Sequence, residues 1–159
     1  MADQSLIGYQ FPAFRFKVEE GKVAEFAKAI FATDPCYLDL QAAYQQGFLS
    51  LLVPPTFSTA TLHWQPQHQG NPLNLDLSRV LAGGNEWEYL RPIVAGETFI
   101  VRTHIADVSK KQGSRGEMTL IIREMGFYDE TDSPALIARS TIIEMPPVTA
   151  QQAAEEHTS

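Results

Sequence analysis

Leu52-Val53-Pro54-Pro55-Thr56-Phe57-Ser58-Thr59-Ala60-Thr61-Leu62-His63-Trp64 is the stretch on which the fold turns. Successive prolines have fixed φ angles and lack the N–H groups that the first turn of a helix cannot satisfy internally, so Pro54-Pro55 opens a helix. Phe57, Thr61 and Trp64, with Leu62 beside them, recur at helical spacing and mark its buried face. Everything well downstream reads as strand, so this half of the chain supplies the helical layer and most of the polar groups a ligand would meet.

Working back from that stretch, Phe14-Arg15-Phe16-Lys17-Val18 alternates apolar and polar residues, the pattern of a half-buried strand. From Glu19 the period lengthens, and Val23, Phe26, Ala27 and Ile30 share one side of a helix that Asp34-Pro35 is expected to close. Gln41 to Gln46 forms a further helical turn ended by Gly47. Working forward, Gln65 to Asn74 holds Pro66, Gly70 and Pro72 among amides and reads as a loop. A short strand is expected at Glu86 to Leu90. In the next, Phe99, Val101, Thr103 and Ile105 face one way, with Arg102 and His104 on the other. Turns at Lys110 to Gly116 and Asp129 to Pro134 lead into strands at Met118 to Phe127 and Leu136 to Met145. Pro146-Pro147 ends the sheet, leaving 148–159 as a polar tail behind a single domain over 1–147. A helix buried early and several long antiparallel strands joined by hairpins make an α+β sheet wrapped around a helix. Exposed strand edges in such a sheet call for a second sheet alongside, hence a dimer.

At 159 residues with 44% hydrophobic composition, the chain is long enough for one core without staples. A net charge of -7 argues against a nucleic-acid partner, whose phosphates require clustered Lys and Arg. One cysteine cannot form an internal disulfide, and Met1-Ala2-Asp3-Gln4-Ser5 lacks the basic and apolar regions of a signal peptide, which points to the cytoplasm. No apolar run has the length of a membrane span. Four scattered histidines and no His/Cys cluster give no metal signal, and no cofactor is expected.

Gly84-Asn85-Glu86-Trp87-Glu88-Tyr89-Leu90-Arg91-Pro92-Ile93-Val94-Ala95-Gly96-Glu97, beside the Pro-Pro-Thr-Phe helix start, resembles the MaoC-like dehydratases and (R)-specific enoyl-CoA hydratases of the hot-dog fold, in particular the FAS1-like dehydratase branch. The resemblance runs from Gly8 to about Met145. It implies a single hot-dog domain and a substrate that is a thioester of coenzyme A or a carrier protein. The family motif Asp-x-Asn-Pro-x-His-x-Asp, laid over this chain by its proline, falls on Ala32-Thr33-Asp34-Pro35-Cys36-Tyr37-Leu38-Asp39. Ala32 then stands where the resemblance puts the catalytic Asp, and Tyr37 where it puts the His. A methyl group accepts no proton, and a phenol of ordinary pKa about 10 is a poor base at neutral pH. The family's Val-His-Gly helix start, whose glycine N–H holds the thioester oxygen, is Val53-Pro54-Pro55 here, without that donor.

Candidate site residues follow with two readings each. Asp34 either pairs with Tyr37 at a pocket mouth or caps a short helix. Tyr37 either contacts substrate or buries its ring and finds one hydroxyl partner. His63 is a base or a hydrogen-bonded packing residue. Phe57, Trp64 and Trp87 are core or tunnel wall, and Cys36 has no basic partner in sequence. Thr56 and Phe57 lie at the helix start where substrate would pass. Asn85 bonds the thioester or Tyr37, or else is a turn residue after Gly83-Gly84. Arg91 braces its turn or meets a phosphate of coenzyme A, and Lys110, Lys111 and Arg115 form a solvated basic hairpin tip.

Three functions fit these residues. The first is an acyl-binding accessory subunit paired with a catalytic MaoC-like chain, the second a self-sufficient homodimeric dehydratase or thioesterase using Asp34, Tyr37 and His63. The third is an acyl-CoA-binding module without turnover. Fold alone does not separate them.

Overall fold

Five strands, β1 (Phe14–Lys17), β2 (Val80–Tyr89), β3 (Thr98–Gly113), β4 (Gly116–Tyr128) and β5 (Pro134–Glu144), form one antiparallel sheet in the order β1-β3-β4-β5-β2. The structure is a computed structural model and describes residues 3–66, 73–114 and 116–147. The expected tail at 148–159, part of the Gln65 to Asn74 loop, and Arg115 of the basic hairpin lie outside the described residues. One face of the sheet carries the helical layer: α1 (Glu20–Ala29), α2 (Leu40–Gln45) and the 3₁₀ helices Pro35–Tyr37 and Phe57–His63. The single hot-dog domain expected from the sequence is present.

Period two holds along β3, where Phe99, Val101, Thr103 and Ile105 are all buried against the helical layer. A register shift between Ile105 and Asp107 then changes the parity, so that Val108 is buried as well. Phe16 anchors the main core: its ring centroid lies 6.2 Å from Phe57, 5.4 Å from Trp64 and 6.2 Å from Phe127. Edge-to-face and tilted contacts of this kind are worth about 0.5–1.5 kcal/mol each beyond area burial. A smaller cluster of Leu73, Leu75, Ile105, Val108 and Ile121 fills the far end.

Three details differ from the sequence reading. Helix α1 stops at Ala29, five residues before Asp34 of the Asp34-Pro35 pair expected to close it. It ends through paired backbone bonds from Ala32 N–H to the Ala27 carbonyl (2.9 Å) and from Phe31 N–H to the Lys28 carbonyl (3.1 Å). That motif needs a left-handed residue, ordinarily glycine, and Phe31 takes it with φ 55°. Ile30 is therefore turned outward and is 44% exposed instead of lining the helix's buried side. The helix after Pro54-Pro55 is a seven-residue 3₁₀ helix beginning at Phe57, after a turn through Pro55 and Thr56; Phe57 and Thr61 are buried and Trp64 half-buried as expected, but Leu62, next in chain to buried Thr61, is turned out and 63% exposed.

The third difference matters most. Gly83-Gly84 is no turn: β2 starts at Val80 and carries a bulge between Ala82 and Gly84 in its ladder with β5. A Cβ on Gly83 would sit 2.8 Å from Thr141 Cγ2 and 2.9 Å from Ile143 Cδ1. The extra residue shifts the strand's parity, so Asn85, Trp87 and Tyr89 face the helical layer while Glu86 and Glu88 face out.

Candidate functional site

The pocket is built where the 3₁₀ helix Phe57–His63 crosses the inner face of β2, β5 and β4. Trp87 on β2 donates its Nε1–H to Ser58 Oγ at 2.8 Å, tying the edge strand to the helix. Thr61 Oγ1 donates back to the Ser58 carbonyl at 2.7 Å and stands 3.7 Å from Met125 Sδ. Between these elements lies a cavity of about 260 Å³. Ser58 and Thr61 line one wall, Asn85 and Trp87 a second, and Arg123 and Ser140 the floor. No carboxylate, imidazole or thiol lines it among the described residues. Its volume falls just short of the roughly 300–1,000 Å³ usual for small-molecule sites, and it opens beside β2, the strand at one end of the sheet.

The sequence-derived candidates divide into three places. Asn85 is in the cavity wall. Tyr37 is half-buried beside Tyr89, whose hydroxyl donates to the Pro55 carbonyl at 3.0 Å. Burial, then the negative charge of Asp34, pushes the Tyr37 phenol above its ordinary value. Burial does the same, more strongly, to Tyr89. Asp34 accepts from the Cys36 backbone N–H at 3.0 Å and caps the 3₁₀ helix Pro35–Tyr37. Cys36 is wholly buried, and burial pushes its thiol up. Phe57 is in the core, and half-buried Thr56 precedes its helix with its carbonyl accepting from Thr59.

The remaining two candidates lie apart from the cavity. His63 is exposed, its ring 6.3 Å from that of Trp64. Arg91 pairs with Glu97 at 2.6 Å and with Asp129 at 3.5 Å and stacks over Phe99, bracing its turn. Ser58, Arg123 and Ser140 were not among the residues singled out from sequence, and Thr61 was read only as part of a buried helix face. Counting by twos back from buried Phe127 and Met125 puts Arg123, not Glu124, on the inner face, and that parity was the available signal.

Residues 5–137 match the family model described as "FAS1-like, dehydratase domain region". The chain belongs to this family. A UPF0336 protein from Saccharopolyspora erythraea is 32% identical over 151 residues, covering 89% of this chain and 90% of that protein. Among solved structures, the C-terminally truncated HadBC (3R-hydroxyacyl-ACP dehydratase) complex from Mycobacterium tuberculosis superposes with a TM-score of 0.70 at 19% identity, covering 87% of this chain and 96% of that one. The ChsH1-ChsH2 complex from the same organism gives 0.69 at 20% identity, covering 89% and 87%. Both likenesses are of fold. Among the described residues of this FAS1-like domain, no helix is long and apolar enough to cross a membrane, and no group of three or more His, Cys, Asp or Glu is placed to hold a metal ion.

Proposed function

We propose that this FAS1-like domain is the accessory half of a 3-hydroxyacyl-thioester dehydratase or enoyl-thioester hydratase, binding the acyl part of a coenzyme A or carrier-protein thioester. A MaoC-like partner chain carries the Asp and His. One observation supports this reading above others: the cavity holds hydroxyls, amides and two guanidiniums but, among the described residues, no group that titrates near neutrality. Adding or removing water across an activated double bond needs a positioned acid and base, and these walls offer neither.

The positions given by the motif agree with that inventory. Ala32 is occupied in closing α1 through its backbone N–H. Tyr37 keeps its proton, since burial and Asp34 both oppose phenolate. Val53 N–H is taken by the Ile93 carbonyl at 3.0 Å, and the next two residues, both proline, have none. An incomplete cavity beside an edge strand is the geometry expected of a site finished by a second chain. The similar folds of HadBC and ChsH1-ChsH2 occur as complexes of two different subunits.

The test is reconstitution with a chain bearing the intact motif. The isolated protein is expected to leave crotonyl-CoA unhydrated, to co-purify with the catalytic chain as one complex, and to change that chain's preference for acyl length. Hydration at an enzymatic rate by the isolated protein would overturn the reading.

A further inference from the structure

Among the described residues, Arg123 is the charge on the inner face without a counter-ion. It sits in β4 between Met125, 7% exposed, and Ile121, wholly buried, in a row otherwise made of core side chains. Its one hydrogen-bond partner among the described residues is Ser140 Oγ, 3.3 Å from Nε. Burial alone pushes its guanidinium below the usual range, with no carboxylate acting against it. The other charged group at the inner face behaves differently: Glu144, wholly buried, meets Arg79 at 3.3 Å. Arg139 at the cavity rim is likewise committed, to Glu86, Glu88 and Glu124 at 2.8–3.0 Å.

Arg123 is half-buried, and taking even part of a guanidinium out of water costs free energy unless something pairs with it, since its pKa is too high for it to discharge instead. Nearby, the side-chain amide nitrogen of Gln65 is also buried with no hydrogen-bond partner among the described residues, and Gln65 and Asn85 both line the cavity. We infer that the cavity over Arg123 receives a ligand carboxylate, with Arg123 as counter-ion, Gln65 and Asn85 as neutral donors, and Leu62, Trp87 and Met125 against the ligand's short methylene stem. A planar guanidinium matches a carboxylate with two parallel hydrogen bonds. Of the two arginines lining the cavity, Arg139 is already held by three carboxylates, so the one remaining cation, Arg123, among neutral donors suits a single negative charge better than a doubly charged phosphate. The inference goes beyond the proposed function, since the subsite stands or falls by binding and not by turnover. The carboxylate can belong to a free acid or to the far end of an acyl thioester.

Titration of the purified protein with hexanoate, hexanamide, glutaryl-CoA and inorganic phosphate, followed by the Trp87 indole N–H resonance and by calorimetry, tests it. Saturable binding of hexanoate or glutaryl-CoA that moves the Trp87 signal is expected, with hexanamide at least tenfold weaker and phosphate weaker still. Arg123→Gln should lose the carboxylate ligands at least tenfold while leaving hexanamide unchanged. Tighter glutaryl-CoA than hexanoate assigns the carboxylate to an acyl thioester, and the reverse assigns it to a free acid. Either order supports the subsite. Should Arg123→Gln fail to fold, the hexanoate-to-hexanamide ratio in the unaltered protein carries the test. Equal binding of those two, preference for phosphate, or no carboxylate binding while Arg123→Gln weakens pairing with a catalytic chain would each overturn it. The last outcome makes Arg123 an ion pair across the interface.

Discussion

Arg79 shows how one side chain can hold two ends of the sheet. It reaches Asp76 at 2.8 Å through Nε, Glu144 at 3.3 Å through Nη2, and the Met145 carbonyl through Nη1. The start of β2 is thereby pinned to the end of β5. Arg79, then Ser78, holds the Asp76 carboxyl down to about 2. A carboxylate whose folded value lies below its unfolded one stabilises the fold at pH above the unfolded value, and that contribution is lost as the pH falls through the folded one. The melting temperature should therefore fall between pH 4 and pH 2 in part through Asp76, and Asp76→Asn should flatten that segment of the curve. An unchanged acid limb in the variant, measured by circular dichroism, would contradict this. Neither the pairing nor the buried Glu144 was legible beforehand. The residues are 65 positions apart in the chain, and an acid ending a β-rich run reads as exposed.

At the level of elements, the bulge in β2 sets which side chains reach the cavity. Without the extra residue, Glu86 and Glu88 would face the helices and Trp87 would lose Ser58. Gly83→Val places methyl groups against Thr141 and Ile143, atoms already 2.8 and 2.9 Å from where a Cβ would stand. Overpacking of this kind costs about 1–3 kcal/mol. We expect a loss of that order in urea unfolding, together with a shifted Trp87 fluorescence spectrum. A variant with unaltered stability and spectrum would show that the bulge is not fixed by its glycine.

The inner face of β3 followed from period two, because its faces differ in polarity, while the hairpin order and the two strands after it followed from turn residues and β-branched runs. The bulge did not, since Gly83-Gly84 satisfies turn chemistry equally well and only the β5 side chains beneath it decide. Asn85 reached the cavity for the same reason. The Phe31 helix stop escaped because sequence rules look for glycine at a left-handed position. For the site, Ala32 and Tyr37 at the motif's acid/base positions and Pro54-Pro55 at its N–H donor position could be read from the sequence, whereas the cavity floor at Arg123 and Ser140 depends on two strands meeting.

On the scale of the molecule, β2 ends the sheet, and no strand among the described residues pairs with its outer edge. Its outward side carries Glu86 and Glu88, which with Glu124 share the single guanidinium of Arg139. Three carboxylates against one cation leave that rim negative, and like charges across paired strands are destabilising. A second copy of this chain, laid antiparallel on the edge, would bring the same acids alongside. Self-association measured by sedimentation should therefore be weak at low salt. It should strengthen as ionic strength rises and the screening length shortens to about 8 Å near physiological salt, with Glu86→Gln plus Glu88→Gln acting in the same direction. Tight dimers indifferent to salt would contradict it.

The same edge bears on how much of the chain a cell can tolerate. A ten-residue strand that no other described strand covers on its outer edge is a template for any extended segment, and what blunts it is one kink and two acids. Losing those features would therefore show as precipitation when the chain is made at high dosage.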